Sequence, residues 1–215
     1  MSKTKNQYVD VWNNLHKEFI KNNEIKYDDW LEEFESIISK VETEIIDLGC
    51  GVTGNNTLYL LEKSKKVISC DFAEEALNVV KTIKGSKTVL FDMLEKFPFE
   101  DNLAELVIAD LSLHYFSEEN TNKIINEIRR ILKPNGYLIF RVNSTNSTEY
   151  KKLIEDGVGQ IESHLFFTKD MKKRFFDIED INYFFRDFKL ISLREENMSR
   201  FCADKIIWKC AVQNL

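Results

Sequence analysis

Proline and glycine are scarce in this chain. Two prolines and seven glycines in 215 residues leave little room for disordered tracts or long linkers. No run of about 18 apolar residues occurs, so no transmembrane helix is expected. The opening residues Met1–Gln7 lack the apolar core of a secretory signal. The four cysteines, Cys50, Cys70, Cys202 and Cys210, show neither CxxC spacing nor a metal-ligand pattern. They read as free thiols of a reduced, cytoplasmic protein, and no metal is expected. Positive charge is not in excess: 30 Lys and Arg face 36 Asp and Glu, a net charge of −6. That balance favours neither nucleic acid nor a membrane surface as partner. No HExxH or Walker sequence appears, and no His–Cys pairing suggests a thiol nucleophile. What is abundant is apolar and aromatic: 43% hydrophobic residues and 16 Phe, enough for one domain with a real core and an apolar pocket.

Strand and helix patterns alternate from residue 44 to 142. Residues 44–48 form an apolar strand ending Asp47-Leu48, followed by the glycine turn Gly49-Cys50-Gly51 and a helix to about Lys63. Second and third strands end at Asp71 and Asp92, with a helix between them. A fourth, Leu106–Asp110, is continuously apolar, as buried parallel strands are. Ser117 is placed to cap a helix that buries Ile124, Ile125, Ile128 and Ile131. Lys133-Pro134-Asn135-Gly136 stops that helix, and Tyr137–Val142 is the fifth strand. Two final strands, near 188–193 and 205–212, read as an antiparallel pair at the sheet edge. The expected fold is therefore a doubly wound α/β sheet, mostly parallel and seven-stranded. Ahead of it, Tyr8, Trp12, Leu15 and Phe19, then Tyr27, Trp30, Leu31, Phe34, Ile37, Ile38 and Val41, recur at helical spacing. These two helices either cover one face of the sheet or bring Tyr8 and Trp12, or Tyr27 and Trp30, over a ligand at the strand ends.

Four acids, Asp47, Asp71, Asp92 and Asp110, stand at the ends of successive strands. In doubly wound folds ligands bind outside that edge. An acid about 20 residues past the glycine turn accepts hydrogen bonds from a ribose diol, and Asp71 fits that role. A negative edge is poor for a triphosphate and better for a ligand with hydroxyls, an amine and a positive centre. Each acid also has a plainer reading, as a cap of its own turn.

The ordered set Asp47-Leu48-Gly49-Cys50-Gly51, Asp71-Phe72, Asp92, Asp110-Leu111-Ser112-Leu113-His114-Tyr115-Phe116 and Leu132-Lys133-Pro134-Asn135-Gly136 resembles the class I S-adenosylmethionine-dependent methyltransferases over residues 40–145. The family's last strand inserts beside the fifth. The resemblance implies a single domain over 1–215, with residues 1–42 as a helical cover and 145–187 as a variable acceptor-side segment. It implies S-adenosylmethionine as cofactor and a small-molecule acceptor. Gly49, Cys50 and Gly51 would let the backbone approach the methionine part, and Asp47 would orient the loop and bind the cofactor's amine through water. Asp71 would hold the ribose and Phe72 would stack on adenine. Asp92 and Met93 would face the adenine amine, and Asp110 and Leu111 would offer backbone carbonyls. The chain departs from the family in having two residues, Val52 and Thr53, before Gly54. Residues 166–176 also bear a loose similarity to bacterial small-molecule methyltransferases of the tellurite-resistance type.

Methyl transfer from a sulfonium depends mainly on alignment and needs a base only for a protonated acceptor. His114 is the candidate base, or else a packing histidine. His164 is a weaker candidate, and His16 is expected on the solvated side of the first helix. Arg141 and Asn143 are placed to touch an acceptor. Lys172, Lys173 and Arg174 either bind an anionic substrate or form a wet face. Two alternatives remain: a non-catalytic protein that binds the same cofactor, and a nicotinamide-dependent oxidoreductase on the same sheet.

Overall fold

The computed structural model describes residues 5–22, 28–198 and 205–215. Tyr27 and Cys202 fall outside them, as does the side chain of Phe19. Helix α1 is Lys5–Asn22; a 3-10 turn, Trp30–Phe34, leads into the short α2, Glu35–Ile38. Then follow β1 Ile45–Leu48, α3 Asn55–Glu62, β2 Val67–Asp71, α4 Glu74–Val80, β3 Lys87–Leu90 and β4 Ala104–Asp110. The chain continues through α5 Glu118–Ile131, β5 Leu132–Asn143, α6 Thr148–Glu155, β6 Gln160–Glu162, β7 Leu165–Thr168 and β8 Met171–Arg174. It ends with α7 Ile178–Phe184, β9 Phe188–Asn197 and β10 Ile206–Asn214.

Seven strands make one sheet in the order β3-β2-β1-β4-β5-β10-β9. The first five pair in parallel, and β10 runs against both of its neighbours. β10 lies inside the sheet, between β5 and β9, and β9 forms the edge. Alternation along each strand divides the core between two faces. Ile46, Leu48, Val107, Leu138 and Phe140 point towards α5 and α7. Ile45, Leu106, Ile108 and Ile139 point towards Trp30, Leu31, Phe34, Ile38 and Leu60. Burial of each such side chain contributes about 1.5–3 kcal/mol.

Local chemistry sets the punctuation. The Ser117 hydroxyl accepts from the Asn120 N–H at 3.4 Å and starts α5, whose isoleucine stripe is buried. At its end the β4–β5 register jumps from Ala104–Leu132 to Leu106–Tyr137, so Lys133–Gly136 is looped out. Asn135 takes φ +65°, and a Cβ on Gly136 would lie 2.9 Å from the Lys133 carbonyl oxygen. That is why this turn carries Asn and Gly.

Two sequence expectations change. The second N-terminal helix is only a 3-10 turn plus one helical turn, because tertiary burial of Trp30, Leu31, Phe34 and Ile38 needs no longer rod. Residues 148–174 hold structure that alternation did not reveal: α6 and a separate three-stranded antiparallel sheet, β6-β7-β8. Its strands, of three and four residues, are too short for period-two patterning to register.

Candidate functional site

The sheet order reverses at β1, between β2 and β4, and a cavity of about 670 Å³ opens at the carboxyl ends of these strands. This lies within the roughly 300–1,000 Å³ of small-molecule sites.

Its floor is the turn after β1. Gly49 has φ +70°, and a Cβ there would stand 2.5 Å from the Ser112 Cβ, so no other residue fits. The Gly49 and Cys50 N–H groups both donate to the Cys70 carbonyl, at 2.8 and 2.9 Å. Cys50 lines the cavity and packs with Leu77 and Val80. Burial, then Asp71 and Asp47, push its thiol pKa up, so it stays protonated. Gly51 has φ +61° with open space where a Cβ would project, and its N–H donates to Asp71 Oδ2 at 3.0 Å. Gly54 sits apart from the cavity wall: a Cβ there would meet Ile83 at 2.7 Å. Val52 and Thr53 line the cavity instead, so the extra residue is absorbed in the loop.

Asp71 closes β2. Its Oδ1 accepts from the Ala73 N–H at 2.9 Å, so one carboxylate ties the glycine turn to the start of α4. Burial raises its pKa; the Ala73 N–H, His16 and the Gly51 N–H oppose that shift. Phe72 lines the wall beside it. Asp92 lies just beyond β3, not within it, and its Oδ1 accepts from the Leu94 N–H at 2.9 Å. Asp92 and Met93 both line the cavity. Leu111 adopts a left-handed backbone, φ +54°, which costs a non-glycine residue roughly 1–2 kcal/mol. Asp110 and Leu111 are in the wall, and the Leu111 N–H donates to the Arg141 carbonyl at 3.0 Å.

Asp47 lies beneath the floor and does not line the cavity. Asn56 Nδ2 donates to its Oδ1 at 3.0 Å, and Oδ2 has no partner among the described residues. Burial, together with Asp110 and Asp71, pushes its pKa up to about 7.

Arg141 does not face an acceptor. It is buried, holds Asp110 through Nε–Oδ1 at 2.7 Å and Nη2–Oδ2 at 2.8 Å, and reaches Asp28 Oδ2 at 2.8 Å. Its guanidinium lies 4.3 Å from the Trp30 ring centroid. The strand-end acids therefore do not act alike: the Asp110 carboxylate is neutralised by a cation from β5. Asn143 is also buried, away from the cavity.

The structure does not bring the His114 imidazole to the cavity wall. It is buried against Tyr115, ring centroids 4.3 Å apart, with Nδ1 unpartnered among the described residues. Burial, then Lys205 and Lys173, holds its pKa well below the usual range, so the ring is neutral. His164 lies outside the cavity, its Nδ1 2.7 Å from Asp180 Oδ2. His16 departs from expectation in the other direction. It is buried, lines the cavity and faces Asp71 and Glu75, whose charges only partly oppose the lowering of its pKa by burial. Tyr8, Trp12, Leu15 and His16 present one face of α1 to the cavity. Trp12 packs edge-on to Phe72 at 6.3 Å and to Tyr115 at 5.0 Å. The expectation that His16 is solvated is wrong: it stands one turn from Trp12, and i, i+4 residues share a face. Ser112, Tyr115 and Phe116 stand in the motif after β4 without an assigned role, and Asn120 of α5 carried no sequence signal.

Of the basic run, only Lys172 lines the cavity. Lys173 pairs with Glu149 at 2.6 Å and Arg174 with Glu162 at 2.6 Å.

Comparison with known proteins agrees with this geometry. A family profile described as a methyltransferase domain matches residues 46–140. A putative methyltransferase of Bacillus subtilis, YqeM, is 33% identical over 124 residues, 55% of this chain and 49% of that protein, so the chain spans about half its length. The tRNA N(3)-methylcytidine methyltransferase Mettl2 of Drosophila melanogaster is 29% identical over 109 residues, 45% of this chain and 33% of that protein. The fold matches a 1,6-didemethyltoxoflavin-N1-methyltransferase of Burkholderia thailandensis, solved with 1,6-didemethyltoxoflavin and S-adenosylhomocysteine bound. That match has TM-score 0.65 at 16% identity, over all of this chain and 92% of that one. Strand order, glycine turn and strand-end acids thus agree with the methyltransferase-domain profile over residues 46–140, and the solved methyltransferase shares the fold.

Proposed function

We propose that this chain transfers a methyl group from S-adenosylmethionine to a small-molecule acceptor. The observation that carries the reading is the joining of Asp71 to the glycine turn at the rim of a cavity of about 670 Å³. Asp71 would accept from the ribose hydroxyls, Phe72 would lie on the adenine, and Asp92 with Met93 would border the adenine amine. The open space at Gly51 leaves room for the methionine part against bare backbone. Asp110 and Leu111 would turn carbonyls towards its ammonium, held in place by Arg141. Asp47, beneath the floor, would support the turn and not touch the cofactor. S-adenosylmethionine, held by these residues, would supply an electrophilic sulfonium methyl. The protein's part is alignment and exclusion of water by α1, Tyr115 and Phe116. His114, being neutral and off the wall, is given no proton to move.

A nicotinamide dinucleotide fits less well. Among the described lining residues Lys172 is the only lysine or arginine, while Asp71, Asp92, Glu95 and Asp110 are acids. A pyrophosphate would bring two negative charges to that set. A non-catalytic binder of the same cofactor differs only in turnover. The test is transfer of labelled methyl groups to a metabolite panel, with tRNA in parallel. Label on a small molecule supports the reading; label on tRNA alone, or on nothing while the cofactor binds, contradicts it.

A further inference from the structure

The cavity is larger than its cofactor side, and its other side has a chemistry of its own. Around the glycine turn and the ends of β2 and β3 stand the acids and His16, which faces Asp71. Asp110, although in the wall, has both carboxylate oxygens taken by Arg141. The same cavity is also lined by Tyr8 and Trp12 of α1, Tyr115 and Phe116 after β4, Asn120 of α5 and Lys172 of β8. Four of these six are aromatic, with Trp12 and Tyr115 edge-on at 5.0 Å. Such walls take a flat ring, by offset or edge contact, better than a flexible chain.

The charge on this side is Lys172. Its neighbours in β8 are both neutralised, Lys173 by Glu149 and Arg174 by Glu162. Lys172 is half-buried in the cavity wall, and its ammonium has no ion pair or hydrogen bond among the described residues. An ammonium without a counter-ion in a cavity wall is free to pair with an incoming anion. An aromatic cage alone would equally suit an amine, through cation–π attraction. An ammonium in the same wall repels one.

Resting on the methyltransferase reading, we propose that the acceptor is a flat aromatic or heteroaromatic acid, its ring packed against the Trp12–Tyr115 pair and its carboxylate on Lys172. Lys172 thereby selects the acceptor by charge, and the methylated heteroatom belongs to the ring or to a hydroxyl or amine on it.

The experiment titrates the chain, loaded with S-adenosylhomocysteine, with matched acid, amide and amine probes. These are 4-hydroxybenzoate, 4-hydroxybenzamide and tyramine; indole-3-acetate, its amide and tryptamine; and succinate as the acid without a ring. In whichever ring series binds tighter, the acid is expected to bind at least about tenfold better than its amide, and succinate not to bind. Lys172→Glu should abolish the acid's advantage while S-adenosylhomocysteine binds as before, and Lys172→Arg should restore it. An amide or amine that matches the acid, an advantage that survives Lys172→Glu, or no ring acid binding at all overturns the proposal. Failure of S-adenosylhomocysteine itself to bind would instead remove the methyltransferase reading on which this rests.

Discussion

The two sides of the cavity are built differently. The proposed cofactor side is made from strand ends and the turns directly after them, fixed by hydrogen bonds: Gly49 and Cys50 to Cys70, Gly51 to Asp71. The proposed acceptor side is assembled from α1, the segment after β4 and strand β8 of the small sheet, elements distant in the chain. α1 docks chiefly through Trp12 with Val52, Ala73 and Ala76, Asn13 to the Glu75 N–H at 3.3 Å, and a Lys17–Glu75 pair at 3.2 Å. One side is part of the core; the other is laid against it.

The largest effect should come from breaking what the cofactor side shares with the core. Arg141→Ala leaves Asp110 and Asp28 without their buried cation, at a cost of about 3–5 kcal/mol. Denaturant unfolding would register it, and a loss under 1 kcal/mol would show the pair to be dispensable. Asp47 comes next. Its pKa in the folded protein, about 7, stands above its ordinary 3.8. Between these values the folded state holds more protons than the unfolded one. Stability therefore falls as pH rises through that window and levels off above it. Asp47→Asn should flatten that slope, seen in melting temperatures from pH 4 to 8, while keeping the acceptor for Asn56. An unchanged slope would move the titration elsewhere.

A smaller effect concerns ligand alone. Asp71→Ala should weaken S-adenosylhomocysteine by about 1–3 kcal/mol, through lost ribose contacts and a loosened Gly51 N–H. Asp71→Asn, which keeps an acceptor oxygen, should lose less. Smallest should be Trp12→Ala. It removes the ring between Phe72 and Tyr115, so acceptor binding should fall by roughly 1 kcal/mol with little change in cofactor affinity. Equal losses for both ligands would mean that the two sides are one unit.

The same contrast explains what could be read from the chain. The alternating segments of 44–142, and the acids that close their strands, announce a sheet and its ligand edge, because period and turn chemistry are local. Asp71, Gly49, Gly51 and Phe72 fall where that logic puts them. It could not tell that Asp110 is consumed by Arg141, a partner 31 positions away, or that Asp47 lies below the floor. His16 was legible from its spacing to Trp12 but was overridden by its polar neighbours. Lys172 could not be separated from Lys173 and Arg174, since only the packing of Glu149 and Glu162 tells the three apart.

The account turns on the cofactor side, and calorimetric titration with S-adenosylhomocysteine, with NAD in parallel, tests it most directly. It predicts one site for S-adenosylhomocysteine, weakened by Asp71→Ala at unchanged folding, and no site for NAD. Binding of NAD instead, or S-adenosylhomocysteine affinity indifferent to Asp71, would contradict it.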